Sequence, residues 1–536
     1  MPEKIIIYGL SSLGLRIAEF LKQTGTEFSV ATYPASPYLS KLKESCANVI
    51  EEDLSNTGLL ERLGIADASA IILPSSDEQF NLQASLQAVE LNPEIRVVLR
   101  LFNINLAAKL ENSMKDFKVI SASQVSSAAF ATAALLEKPV LSFKASDNIF
   151  SFFKIPCSLF AHKTVSEAEN ELNLKIVSLN KIAFPCENEK IPDHGELCVF
   201  SEFAGGYEFA KHTFIEKNDT AVKDPKKEKS SLSKRFCGMD RILRNTLTAL
   251  VSVIVFCIAY FYSFEDLSFI NAVYFVVTVL TTTGFGDISL KDSSTISKLV
   301  GIMLMLSGLS LFTILFAIVT DTLIKKRMEL MLGRKRSRLS GHIVLCGTGD
   351  VGVRILEDLL ALGEKAVVIE KDPENKFMNT VKELNAPFII SDATLEKTLA
   401  DANITHAKAI ICAMDDDIKN LEVGLNAKAL NKDIRVVLRI FDKDFASRIE
   451  KYFDIHYALS SSYIAAPAFA SAAQGTGIVN TLEIERERLL LVKGNSDVTK
   501  DGVKPLFVLN EDGTFRIGKG PAELAGNDTM FYLRKA

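Results

Sequence analysis

The sequence predicts a multidomain chain in which an all-α membrane segment with two spanning helices separates two α/β units built on doubly wound parallel sheets. Each unit is followed by a small α+β lobe. Three observations carry this prediction: apolar residues are concentrated in one stretch near the middle, a block of sequence before that stretch recurs after it, and each copy alternates strand-length apolar runs with helical patterns. The 536 residues leave room for several domains, and the charged fraction of 24% is ordinary although the mean hydropathy is positive at +0.18. A net charge of −5 gives no sign of a nucleic-acid partner. The eight cysteines are scattered and form no C-x-x-C pair, which argues against a zinc site and a disulfide framework.

Residues 1–137 form the first α/β unit. The start, Met1 to Lys4 followed by the short run Ile5–Tyr8, lacks the basic start and long apolar core of a secretory signal, so this unit is expected in the cytoplasm. Residues 138–220 read as its small lobe and 221–240 as a polar, basic linker. The apolar excess lies in residues 241–328. There Asn245–Phe264 and Leu299–Thr320 are free of charge, and each matches the roughly 20 residues that a helix needs to cross a bilayer. Basic residues gather outside the pair (Lys234, Arg235, Arg241 and Arg244 before, Lys325, Lys326 and Arg327 after), whereas Glu265 to Thr295 holds Lys291 alone. The positive-inside rule then places both flanks and both termini in the cytoplasm of a multi-pass inner-membrane protein surrounded by lipid. Between the spans, Leu267–Leu280 is too short to cross and suits a re-entrant helix buried in protein.

That short segment runs into Thr282-Thr283-Gly284-Phe285-Gly286-Asp287. A cation sheds its water only where oxygens replace the hydration shell, and consecutive backbone carbonyls can do so when glycines permit the required dihedrals. Gly284 and Gly286 are those positions, the Thr282 hydroxyl adds a further oxygen, and Asp287 falls at the outer mouth. The segment resembles the potassium-channel signature Thr-Val-Gly-Tyr-Gly-Asp, with Thr283 in place of Val and Phe285 in place of Tyr. Resemblance to the two-helix potassium channels implies K+ as the permeant ion. A ring of carbonyls needs about four copies of one loop, so the expected assembly is a homotetramer. Phe285 lacks the hydroxyl that could tether the filter, so a weakly selective cation channel gated by ATP/ADP or Ca2+ stands as the alternative. In the second span Gly308 is placed where an inner helix could bend, or where a neighbour packs closely, and Asp321 lies at the cytoplasmic end as a cation-attracting ring or an interface residue.

Residues 341–475 form the second α/β unit and 476–536 its lobe. Ile95–Arg100 recurs unchanged as Ile434–Arg439, Gly9-Leu10-Ser11-Ser12-Leu13-Gly14 answers to Gly347-Thr348-Gly349-Asp350-Val351-Gly352, and Ser127–Ala134 matches Ala466–Ala473. The glycines follow the first strand, and Glu370 ends the second about 20 residues later, the setting of a dinucleotide-binding turn. Gly347 makes the tight turn, Gly349 lets the backbone approach a pyrophosphate, Gly352 packs helix on strand, and Glu370 would accept ribose hydroxyls, which favours NAD(H), with ATP or ADP presenting the same ribose. Arg439 is a candidate phosphate contact, and Asp392, Ala393 and Thr394 candidate adenosine contacts. In the first copy the middle glycine is Ser11 and the acid is replaced by Thr32, so no dinucleotide is expected there. Asp53, Asn81 and Arg100 persist opposite Asp392, Asn420 and Arg439, which favours structural roles for them.

These features resemble the RCK (regulator of potassium conductance) domains, also found in Trk-type potassium uptake regulators. The resemblance implies Rossmann-like units that assemble into a cytoplasmic gating ring, whose movement on binding a small-molecule nucleotide pulls the inner helices. The run Asp415-Asp416-Asp417 could bind Ca2+, although a charge run at a helix start more often serves as a cap. The six histidines form no catalytic pattern and no substrate domain is present, so no enzyme is expected.

Overall fold

The computed structural model describes residues 4–45, 48–56, 58–203, 241–332, 336–484, 487–494, 502–518 and 528–536; the expected linker 221–240 lies outside them. The chain divides into two bodies, one formed by the regions before and after the apolar segment and the other by that segment.

In the larger body the strands β1 (Lys4–Tyr8), β2 (Glu27–Thr32), β3 (Val49–Glu51), β4 (Ala70–Leu73), β5 (Arg96–Arg100) and β6 (Phe117–Ile120) form a parallel sheet of order β3-β2-β1-β4-β5-β6, here the N-domain. Its lobe follows as an antiparallel sheet of β7 (Pro139–Ala145), β8 (Asn148–Pro156), β9 (Lys175–Leu179), β10 (Ile182–Ala183) and β11 (Glu196–Glu202). The C-domain repeats the parallel order with β12 (Ile343–Cys346), β13 (Ala366–Glu370), β14 (Phe388–Ile390), β15 (Ala409–Cys412), β16 (Arg435–Arg439) and β17 (Tyr457–Leu459), arranged β14-β13-β12-β15-β16-β17. Every residue of β4 and of its counterpart β15 is buried, as strands covered on both faces require. In both sheets the strand order reverses beside the first strand, and the first turn opens at that switch point, where such sheets bind ligands.

The closing helices are exchanged between the two domains. Ser461–Gln474, which follows β17, packs Ala465, Ala466, Phe469, Ala470 and Ala473 into the core of the N-domain sheet. Ala122–Ala133, which follows β6, contributes Phe130, Ala131 and Ala133 to the core of the C-domain sheet. The repeated alanine-rich segments thus have a common purpose: small side chains let each helix approach closely, and one phenylalanine fills the remaining space. Phe469 and Phe130 are both fully buried. Replacing Phe469 by alanine is expected to cost about 3–5 kcal/mol, read as a lower thermal midpoint of the full chain; an unchanged midpoint would show that this helix is not part of the N-domain core. A polar clamp reinforces the exchange, with Ser127 donating to Asp358 at 2.5 Å and Lys144 pairing with the same carboxylate at 3.2 Å.

The second lobe comprises β18 (Ile478–Ile484), β19 (Glu487–Lys493), β20 (Val503–Leu509), β21 (Phe515–Ile517) and β22 (Thr529–Lys535) in one antiparallel sheet. Residues 476–536, read from sequence as α+β, hold strands without a helix among the described residues, because the alternating apolar positions are used by the sheet. The first lobe does carry a helix, Val165–Leu172, held by a capping box between Thr164 and Glu167. The two lobes face each other across a phenylalanine-rich core in which Phe150 and Phe507 stack at 4.1 Å between centroids, joined by Phe143, Phe200 and Phe531.

The smaller body consists of helices Arg241–Phe264 and Thr295–Leu332, with the short helix Phe269–Leu280 between them in sequence. Cys257, Phe261, Ala272, Phe275, Val276 and Leu304 form its core. Counted over the described side chains alone, no helix is long and apolar enough to cross a membrane. In the full sequence Asn245–Phe264 and Leu299–Thr320 carry no charge.

Candidate functional site

The short helix begins with Ser268, whose side chain accepts from the Asn271 N–H, and ends at Leu280. Beyond it Thr283 and Gly284 both donate backbone N–H groups to the Thr278 carbonyl, at 2.9 and 3.2 Å. Thr282, Gly284 and Gly286 have φ of +58°, +49° and +79°, whereas Thr283 and Phe285 do not share this region. Alternation of hand from one residue to the next is the condition under which consecutive carbonyls can face one side. The Phe285 ring stacks on Tyr274 of the short helix, 6.4 Å between centroids and 7° from parallel. The stacking ties position 285 to the short helix through its ring. Gly308 lies within an unbroken helix, and a Cβ there would come within 2.9 Å of the Leu280 side chain. Asp321 is on the same helix and exposed.

In the C-domain, β12 leads into Gly347, at φ +90°, and the helix Asp350–Ala361 starts with Gly349 as its N-cap. A Cβ on Gly352 would fall 2.0 Å from the Gly347 carbonyl oxygen, so helix and strand meet as closely as the spacing of the turn implies. Gly349 differs, because a Cβ there would meet no protein atom within 4 Å. Its openness faces a cavity of about 760 Å³ lined from the C-domain by Gly349, Asp350, Val351, Lys376, Phe377 and Arg439.

Other expected contacts are placed elsewhere. Glu370 is buried and does not line the cavity; its carboxylate accepts from the Thr348 N–H and hydroxyl at 2.8 and 2.5 Å, and from the N–H groups of Lys371 and Asp372. It thereby holds the turn, and a ribose would have to share its remaining lone pairs. Asp392 accepts from the N–H and hydroxyl of Thr394 and pairs with Lys371; Lys371 first, then Thr394, holds its carboxyl down at about 2. Asp392, Ala393 and Thr394 are not part of the cavity wall. Asn420 and Asn81 each bridge the end of one strand to the next, bonding the carbonyls of Arg439 and Arg100, which is the structural role their persistence suggested.

The acidic run divides among three partners. Asp415 pairs with Arg439 at 2.5 Å, Asp416 caps the helix Asp417–Leu430, and Asp417 accepts from the Phe441 N–H. Among the described residues no three His, Cys, Asp or Glu side chains are grouped to hold a metal ion.

The N-domain turn is closed. Ser11 caps its helix by accepting from the Gly14 N–H, and its hydroxyl donates to the Pro74 carbonyl, so the place where an anion would meet the helix start holds a side chain of the protein itself. Yet Ser11, Ser12 and Arg100 line the same cavity as Gly349. Sequence reading treated the two turns as separate sites; their shared cavity depends on the helix exchange, which no local pattern reports.

Comparison with known proteins agrees with this architecture. The TrkA-N domain matches residues 5–122 and 343–461, and the ion channel domain matches residues 248–325. The probable potassium channel protein 2 of Methanocaldococcus jannaschii is 24% identical over 40% of this chain and 64% of its own length. The voltage-gated potassium channel Kch of Escherichia coli is 27% identical over 34% of this chain and 44% of its own. Among solved structures, the GsuK channel bound to NAD shares the fold with a TM-score of 0.50 at 14% identity, covering 100% of this chain and 77% of that one. The chain spans between about a third and two thirds of the length of the first curated relatives it matches. It is thus composed of two TrkA-N (RCK) domains flanking an ion channel domain of the two-helix type. By descent it is homologous to potassium channels.

Proposed function

We propose that the chain is a potassium channel, a homotetramer in the cell membrane with both termini cytoplasmic, in which nucleotide binding to the TrkA-N domains opens or closes the pore. The observation that carries the reading is the alternating backbone of Thr282, Gly284 and Gly286 directly after a short helix. Four such segments about one axis would present stacked rings of carbonyl oxygens, and the negative end of each short helix would favour a cation beside them. Helices Arg241–Phe264 and Thr295–Leu332 are read as the two spans. The open approach at Gly349 suits a pyrophosphate at the helix start, and NAD(H) is the favoured ligand, with ADP and ATP next. A bound NAD in the GsuK channel supports this choice. The chain is read as a sensor rather than an enzyme, and hydride transfer by the purified protein would overturn that.

Single-channel recording in opposing potassium and sodium gradients tests the reading, with NAD+, NADH, ADP and ATP applied in turn to the cytoplasmic face. The expected outcome is reversal near the potassium equilibrium potential and a nucleotide-dependent open probability that Glu370→Ala abolishes, because the turn loses the carboxylate that holds Thr348, Lys371 and Asp372. Reversal midway between the two equilibrium potentials would favour the weakly selective alternative. A full nucleotide response in Glu370→Ala would place the ligand elsewhere.

A further inference from the structure

The cavity at Gly349 is walled by both domains, and its cations are not equivalent. Arg439 is 8% exposed; it is engaged by Asp415, lies 4.7 Å over the Phe441 ring, and its Nε has no partner among the described residues. Lys376 is bound to Asp350 at 2.9 Å. Arg100, from the end of β5 in the N-domain, reaches across the domain boundary to the opposite oxygen of Asp350, but at 4.0 Å, beyond hydrogen-bond range. Its side chain is 23% exposed, and among the described residues its guanidinium makes no hydrogen bond, so all five of its N–H donors are available. Burial holds the Arg100 guanidinium below its usual range; Asp350 offsets this and the like charge of Arg439 adds to it. Asp415, already paired with Arg439, and Glu78 also act on Arg100, yet neither bonds it, and an anion beside Arg100 would satisfy its open donors and reduce its repulsion from Arg439.

We propose that the N-domain, having closed its own turn with Ser11, serves as the second half of the C-domain's site, with Arg100 binding the phosphates of a nucleotide seated at Gly349–Val351. The proposal rests on the nucleotide reading of that turn and deepens it: the ligand class is a nucleoside di- or triphosphate or a dinucleotide, whose phosphates extend past the helix start into the cleft. One bound molecule then ties the two domains of a chain together. The inactive copy of the repeat is in this view a working part of the sensor, which accounts for the persistence of Arg100 where Ser11 stands in place of the open glycine of the turn.

The test is equilibrium binding of ADP, NAD+ and adenosine to the purified full chain in detergent. Arg100→Gln is expected to weaken ADP and NAD+ by about tenfold or more while adenosine binding is unchanged, since a charge-assisted contact to phosphate is lost and no contact to the nucleoside is. Arg100→Lys, which keeps the charge, should recover part of the loss and guards against a folding defect in the glutamine variant. Equal ADP and NAD+ affinity in Arg100→Gln and the parent chain would overturn the proposal, as would a parallel loss of adenosine binding in both variants, which would mark Arg100 as structural. Glu370→Ala separates the two levels: if it leaves all binding intact, the ligand is not at this turn and both readings fall, whereas loss in Glu370→Ala with none in Arg100→Gln removes only the role of Arg100.

Discussion

Replacement of Gly284 by alanine is expected to abolish potassium current while leaving nucleotide binding at its original strength. At φ +49° this residue lies in the left-handed region, where a Cβ costs about 1–2 kcal/mol. In a pore of four chains the same strain enters four times, or about 4–8 kcal/mol, enough to drive the segment into another conformation. The cost is conformational, because a Cβ at this position meets no atom of its own chain within 4 Å. Escape requires the peptide planes that carry the Thr283 and Gly284 N–H groups to turn, and both N–H groups are held by the Thr278 carbonyl, so the escape also removes these anchors. The carbonyl that belonged to a ring then faces elsewhere. Thr282 shows that one non-glycine residue is tolerated at φ +58°. Rubidium flux into vesicles, paired with ADP binding on the same preparation, checks the prediction, and normal flux would show that this backbone is not the ion path.

The parts of the structure that were legible in the sequence are those with short-range causes. The strand, glycine turn and helix at Ile343–Ala361 are fixed by apolar runs and by the packing of Gly352, and the short helix before Thr282 by its length and its serine cap. The internal repeat gave the domain order. What stayed hidden depends on the choice of partner over long distance. Ser127–Ala134 and Ala466–Ala473 are plainly alike, yet nothing local says that each helix enters the other domain's core. The cavity follows from that exchange, and with it the meeting of Arg100 and Asp350. Glu370 illustrates a different limit: an acid at the end of the second strand reads as a ribose acceptor, but its carboxylate already receives four hydrogen bonds from the turn beside it. Sequence spacing gave the position of the acid, while its present partners are visible only when the turn is folded around it.

Gly352→Ala is expected to remove nucleotide binding and lower the stability of the C-domain, whereas Gly14→Ala at the matching place in the N-domain is expected to be far milder. The two glycines hold the same position in the repeat, but their surroundings differ. A Cβ on Gly352 would fall 2.0 Å from the Gly347 carbonyl oxygen, a backbone atom in the tightest part of the turn, so helix and strand must separate by more than an ångström. A Cβ on Gly14 would lie 3.3 Å from the Gly9 carbonyl and 3.1 Å from Pro74, distances that a shift of a few tenths of an ångström relieves. Forced overpacking of a well-ordered core costs about 1–3 kcal/mol, and the Gly352 clash is with backbone, which cannot rotate away as a side chain can. Its relief would tilt the start of the helix Asp350–Ala361 and displace Gly349 and Asp350, taking the anion-facing N–H groups out of line and separating Asp350 from Arg100. In the N-domain the Ser11 hydroxyl already occupies the helix start, so a small shift there moves no ligand-binding group. Thermal midpoints and ADP affinity of the two full-length variants give the comparison. Equal effects would mean that the tighter approach in the C-domain has no bearing on its site, and intact ADP binding in Gly352→Ala would separate the nucleotide from this turn altogether.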